Sequence, residues 1–330
     1  MQDRDRYDVR GIAARHRHEP VLGELGDLPV THLPVPRPVL YEMWHRFRRP
    51  SFARRLGDAD VVHATGGVMP PTDAPLVATV HDLAFLHAPE FFTPRGVRFM
   101  TTGFEIARDE AALIAVPSEA TAADCEAHGV ERDRIRVVPW GADRVEVSAA
   151  ERARVADAYD LPPVFVLFVG TREPRKNLRR LLEAHAAATP DVPLLVAGPT
   201  GWGDEVGVGA SAVRNLGHVP QADLVVLLDR AAALVYPSLI EGFGMPVLEA
   251  MAQGTAAITS GTTATAEVAG DTGLLVDPTD TVDIGEALAS VRDDPADWEH
   301  RGRLAAERAA RFTWAATAAS LESVYDEVVG

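Results

Sequence analysis

Short, uninterrupted apolar runs recur along this chain, separated by stretches whose apolar residues have helical spacing. In the first half they are Asp60–Ala64, Leu76–Val80, Leu113–Pro117 and Ile135–Pro139; in the second, Phe165–Val169, Leu194–Ala197, Ala233–Tyr236 and Ala256–Thr259. They are rich in Val, Leu and Ile and show little polar alternation. A strand that is apolar on both sides is buried on both sides, as in a parallel sheet covered by helices. The pattern predicts an α/β architecture, doubly wound, in two copies. A length of 330 residues suits two domains of about 150 residues each.

The break between them is expected near 141–161. WGAD (140–143) reads as a turn, residues 149–159 as a helix, and Leu161-Pro162-Pro163 leads into a fresh strand. This gives a first domain over 1–147, a second over 148–312, and a last helix, 313–330, that packs back on the first. The opening is short. Tyr7–Ala13 and Leu28–Leu33 are strand-like, but no Gly-rich turn lies between them. The first domain is therefore expected to lack its opening βα unit.

Composition excludes several classes. A net charge of −16 argues against nonspecific nucleic-acid binding. Cys125 is the only cysteine, so neither an intrachain disulfide nor a cysteine-rich metal site is expected. The charged start, MQDRDRYDVR, has no apolar leader core, and no apolar run approaches the roughly 20 residues of a membrane span. The expected location is cytoplasmic. One basic, aromatic segment, WHRFRRPSFARR (44–55), is a candidate for peripheral contact with the inner membrane face or with an anionic acceptor, against the plainer reading of a solvated arginine-rich face. Pro50 stops any single long helix there.

The most informative stretch is VYPSLIEGFGMPVLEAMAQG (235–254). It reads as a buried strand, a loop with Gly242 and Gly244 around Phe243, and a helix with Pro246 in its first turn and Gly254 at its end. A helix N-terminus after a glycine-containing loop offers backbone N–H groups and a partial positive charge to an anion. Glu241 and Glu249 flank the loop with seven residues between them. Carboxylates repel phosphate but accept well from hydroxyls. Phosphate in the middle and a polyol at each end describes a nucleotide-sugar. A first-turn acid compensating the helix dipole would explain Glu249 alone, not Glu241.

Of 32 basic residues, one is a lysine, Lys176. It lies in LFVGTREPRKNLRRLLEA (167–184), again a strand, a loop and a helix. A compact ammonium suits a diphosphate; arginine-biased codon use is the plainer account of its rarity.

Together these segments resemble the retaining glycosyltransferases of family 4, which have the GT-B fold: two Rossmann-like, doubly wound domains facing a cleft. The likeness begins near residue 28 and is strongest over 165–280. GTREPRKN is similar to the family's diphosphate loop, EGFGMPVLE to its two-glutamate motif, EVAGDTGLLVDPTD (267–280) to the segment that follows, and VATVHDLAFLHAPEFF (77–92) to its first-domain His-Asp segment. The resemblance implies that Lys176, with Arg172 or Arg175, neutralises the diphosphate beyond Gly170. Glu249 would bind the ribose diol and Glu241 the hydroxyls of the transferred sugar. The amides of Phe243, Gly244 and Met245, past Gly242, would meet sugar and phosphate. His218 would lie beside the nucleobase, and His81 at the reacting sugar. Thr171 stands where relatives often carry the arginine, and Ala256 where they commonly carry proline.

The implied reaction moves a hexose of mannose or glucose type from a GDP- or UDP-linked donor to a hydroxyl acceptor (a glycan, a lipid-linked acceptor or a small molecule), with configuration kept. No cofactor and no metal are expected. Asp58-Ala59-Asp60 has the spelling of a metal motif but precedes a strand, whereas ligands in such sheets bind past strand ends; the histidines lack zinc-enzyme spacing. Other readings are a catalytically inactive partner subunit, a sugar-nucleotide epimerase, and a dinucleotide-dependent oxidoreductase. The last lacks its third glycine after Gly242-Phe243-Gly244.

Overall fold

The structure, a computed structural model, describes residues 6–15, 28–51, 59–201 and 212–330. The chain divides into two compact units. Unit 1 comprises 1–116, 122–138 and 318–330; unit 2 comprises 117–121 and 139–317.

In unit 1, β1 (Gly11–Arg15) and β2 (Val30–Pro36) form a parallel pair. β3 (Val62–Ala64), β4 (Leu76–Thr79), β5 (Leu113–Val116) and β6 (Ile135–Val137) form a parallel sheet in that order. The uninterrupted apolar runs have the predicted cause. Along β4 and β5, Ala78, Ile114 and Val116 face a core with Phe104 and Ala107 of the helix Pro94–Glu110 and Cys125 of the helix Glu119–Ala127. Val77, Leu113 and Ala115 face the other way, into a core closed by Leu321, Val324 and Tyr325 of the helix Trp314–Val329. The last helix thus packs on the first-domain sheet, as expected. His63 fastens it there, with Nδ1 2.7 Å from the Tyr325 hydroxyl and Nε2 2.8 Å from Thr79 Oγ1. An opening strand, β1, is present. The residues expected to lack a Gly-rich turn fall mostly within 16–27, outside the described residues, as does Asp58.

Unit 2 is a six-stranded parallel sheet of β7 (Val166–Val169), β8 (Leu194–Ala197), β9 (Val213–Gly217), β10 (Ala233–Tyr236), β11 (Ala257–Ser260) and β12 (Leu274–Val276). Its order is β12-β11-β10-β7-β8-β9. Both faces are buried: Leu167, Leu195 and Leu234 enter one core, and Phe168, Val196 and Val235 the other. The helix expected at 149–159 spans Ala149–Ala158 and opens on a capping box, in which Ser148 and Glu151 satisfy each other's backbone N–H.

Sequence reading missed β9 and β12, the two edges of this sheet. β9 carries Arg214 and Asn215, and β12 leaves Leu275 42% exposed, so neither presents the doubly buried signature of an inner strand.

Candidate functional site

The strand order places the site in unit 2. From β7 the chain steps to β8 and then β9, and returns to β10 on the other side of β7. Loops leaving the carboxyl ends of β7 and β10 therefore run in opposite directions and open a crevice, the usual ligand position in such a sheet. The loops after β7 and β10 hold every candidate donor residue except His218, Met245 and Glu249. Of these, Met245 and Glu249 lie on the helix that follows the β10 loop.

At this crevice Lys176 meets Glu241. Lys176 Nζ is 2.5 Å from Glu241 Oε1 and also donates to the Tyr236 hydroxyl. Tyr236 donates to the same carboxylate oxygen at 3.0 Å, and Arg175 Nη1 stands 3.3 Å from it. The Lys176 and Glu241 side chains are 9% and 8% exposed, so this is a desolvated cluster. Burial lowers the ammonium's pKa, with Glu241 opposing the shift. Burial, seconded by Glu241, holds the Tyr236 hydroxyl well above its ordinary value. The Glu241 carboxylate is thus held by two hydrogen-bond donors and a further ion pair, and Lys176 is largely shielded from water.

The loops are held in register by their backbones. Leu239 N donates to Arg175 O at 2.8 Å. Asn177, buried and in the left-handed region at φ 60°, donates from Nδ2 to Pro237 O (2.9 Å) and to Pro278 O (2.6 Å). It ties the loop after β7 to those after β10 and β12. Gly198 is required by close approach: at φ +144° a Cβ would lie 2.0 Å from Gly170 O.

Past Glu241, Gly242 O accepts from Ser118 Oγ (2.7 Å) and Thr121 Oγ1 (3.1 Å). Phe243 turns inward to pack against Trp140 and Phe312. Gly244 is the cap of the helix Met245–Ala252, at φ +103° and with Thr265 Cγ2 only 2.5 Å from where a Cβ would sit. Pro246 lies in the first turn and Gly254, at φ +87°, follows the helix, both as predicted. Among the described residues nothing accepts from the amides of Phe243, Gly244 or Met245, so these N–H groups remain available to an anion.

Glu249 is mostly buried, and no described residue donates to it. Burial alone raises its pKa. Such a carboxylate lacks the donors that would offset its desolvation.

The remaining candidates separate. Arg175 is braced by Glu173 at 2.9 Å and lies in the Lys176–Glu241 cluster. Arg172 instead donates to Thr200 Oγ1 in the loop after β8, and its Nε is buried with no partner among the described residues. His218 follows β9 directly and is exposed. His81 belongs to unit 1, where it is exposed and its Nε2 lies 2.8 Å from Thr65 O. In the basic segment, Trp44 is buried and Arg48 pairs with Glu110 and donates to Met69 O, whereas Phe47 is 63% exposed. Residues 52–55 lie outside the described residues.

Sequence reading missed Tyr236 and Asn177. A tyrosine closing an aliphatic strand and an asparagine before a helix were the available signals. Each was read as part of its element rather than as a polar group needing a partner.

Comparison with known proteins bears on the family and the fold. Residues 151–311 match the model of "Glycosyl transferases group 1", and residues 2–146 that of "Glycosyltransferase Family 4". The chain is 33% identical over 276 residues to O-antigen chain mannosyltransferase B of Escherichia coli, covering 78% of this chain and 72% of that one. It is 33% identical over 283 residues to D-inositol 3-phosphate glycosyltransferase of Corynebacterium glutamicum, covering 77% and 67%. Sucrose-phosphate synthase from Thermosynechococcus elongatus superposes with a TM-score of 0.74 at 22% identity, covering 91% of this chain and 83% of that chain. Anabaena HepE in complex with UDP and glucose superposes with a TM-score of 0.74 at 17% identity, covering 92% and 88%. With two Rossmann-like units, a final helix packed on the first, and these likenesses along most of its length, the chain belongs to the family 4 glycosyltransferases of GT-B fold.

Proposed function

We propose that this glycosyltransferase moves a hexose from a GDP- or UDP-linked donor to a hydroxyl acceptor, with retention and without a metal ion. The observation that carries this reading is the Lys176–Glu241 cluster at the switch point, beside a helix start whose amides, like Glu249, have no hydrogen-bond partner among the described residues. HepE, whose structure holds UDP-glucose, shares the fold, and the mannosyltransferase relative favours a mannose-type hexose.

The diphosphate lies against Lys176, Arg175 and the amides of 243–245. Arg175 is preferred to Arg172 because it already stands in the Lys176 cluster. As the glycosidic bond breaks, negative charge grows on the leaving diphosphate. Fixed cations and amides aimed there lower the barrier without reorganising, and loss of one such donor costs on the order of 3 kcal/mol. When the diphosphate arrives, Lys176 shares its charge between phosphate and Glu241, and Glu241 turns its other oxygen to the sugar hydroxyls. Glu249 accepts from the ribose diol, which supplies the donors it lacks. His218 flanks the base. His81 lies at the reacting sugar or the acceptor.

A thermal-shift panel of UDP-, GDP- and ADP-linked sugars tests this, because a ligand held by the folded chain raises Tm. One nucleotide series should stabilise the wild type, and Lys176→Ala and Glu249→Ala should each remove most of that shift while remaining folded. The donor site is misplaced if both variants respond like wild type.

A further inference from the structure

Unit 1 brings together three side chains that the donor site does not use. His87 ends the short helix Ala84–His87, and Asp124 lies on the helix Glu119–Ala127 with His128 one turn later, just past its end. His87 Nε2 is 2.6 Å from Asp124 Oδ1, and His128 Nδ1 is 3.5 Å from the same oxygen. The imidazoles meet edge to face with centroids 5.3 Å apart, and Phe104 backs His128 at 6.4 Å. One ligand atom from each of the three lies within 4.8 Å of the others.

We propose that His87, Asp124 and His128 form a zinc site of the two-histidine, one-carboxylate type, with a fourth position open to water. Two features support a metal here, the first of them a transition metal over a hard cation. Two of the three ligands are imidazoles, which suit zinc and not calcium or magnesium. Asp124 and His128 are four residues apart, a spacing that puts both on one helical face. A tetrahedral zinc with bonds of about 2.0–2.1 Å holds its ligands roughly 3.3 Å apart, so small rotations of these partly exposed rings close the set. The ion takes the place of the proton between His87 and Asp124.

The site shares no residue with the proposed donor machinery. Its effect is mechanical. Asp82 Oδ1 caps Ala84 N at 3.0 Å, so residues 81–87 are already one structured piece carrying His81 at one end and His87 at the other. Zinc fastens the far end of that piece to the helix Glu119–Ala127.

The test uses the untagged full chain, stripped with chelator and titrated with Zn²⁺ in a calorimeter, and with Co²⁺ followed by visible absorption. One saturable site per chain is expected, with tetrahedral Co²⁺ bands and a raised Tm. His87→Ala and Asp124→Asn should weaken binding at least as much as the roughly 10–100-fold that outer-shell changes cost, with unchanged far-UV circular dichroism. Absence of saturable binding, or equal affinity in wild type and both variants, overturns the proposal and leaves a hydrogen-bonded His-Asp-His clamp.

Discussion

Glu249 is a carboxylate placed where a stability-optimised chain would put an apolar or amide side chain. Its folded pKa lies above the ordinary value because burial disfavours the charge. The folded chain therefore holds this proton more tightly than the unfolded chain, and stability falls as pH rises from the ordinary carboxylate value through the raised one. At neutral pH the group is a net cost. Glu249→Gln should stabilise the donor-free chain at pH 7 by about 1 kcal/mol, near 2 °C in Tm, while weakening donor binding. A Tm at pH 7 no higher than wild type would refute this. The trade is characteristic of a binding residue; the plainer reading the sequence allowed for Glu249, a first-turn acid compensating the helix dipole, is not met, because the helix starts at Met245 and its first turn holds no acid. Tyr236 was not legible in the sequence. Its hydroxyl matters because Lys176 and Glu241, from a different strand's loop and from its own, converge on it, and that convergence exists only once β7 and β10 are neighbours.

Among the elements, the helix Met245–Ala252 depends on the residue before it. Gly244 combines a left-handed φ with contact to Thr265, so Gly244→Ala meets both backbone strain and a steric clash. It should destabilise unit 2 by about 1–3 kcal/mol and reduce donor binding through a displaced helix start, checked by denaturant unfolding and by the thermal-shift response. Unchanged stability would mean the loop relaxes freely. The inner strands and this helix were readable because burial on both faces leaves an apolar run, and because Pro246 and Gly254 punctuate the helix in a fixed order. The edge strands β9 and β12 were not, since an edge tolerates Arg214, Asn215 and an exposed Leu275. Thr200 follows β8 on that side of the sheet, so the sequence holds no sign that Arg172 turns to it.

At the scale of the molecule, unit 1 carries an acid sensitivity of its own. Burial lowers both His45 and His63 to about 4, with Arg48 and His81 adding to the respective shifts. The unfolded chain takes up these protons near the ordinary imidazole value and the folded chain only near 4, so the stability is intact above the first and drains away as pH falls toward the second. Calorimetry between pH 7 and 4 should show an unfolding step that moves to lower temperature across this window by the equivalent of roughly 1–3 kcal/mol per histidine. A His45→Phe chain should show less of that movement, and an identical pH profile in both would contradict the assignment. The final helix bears on how such a chain comes into being. Leu321, Val324 and Tyr325 close the sheet face formed by Val77, Leu113 and Ala115, although all of unit 2, 117–121 and 139–317, is synthesised in between. The sheet of unit 1 therefore leaves the ribosome with one side bare and stays so until residues 321–325 are made. A chain stopped before this helix would join a finished unit 2 to a unit 1 whose sheet keeps an open apolar flank, ready substrate for chaperones and proteases.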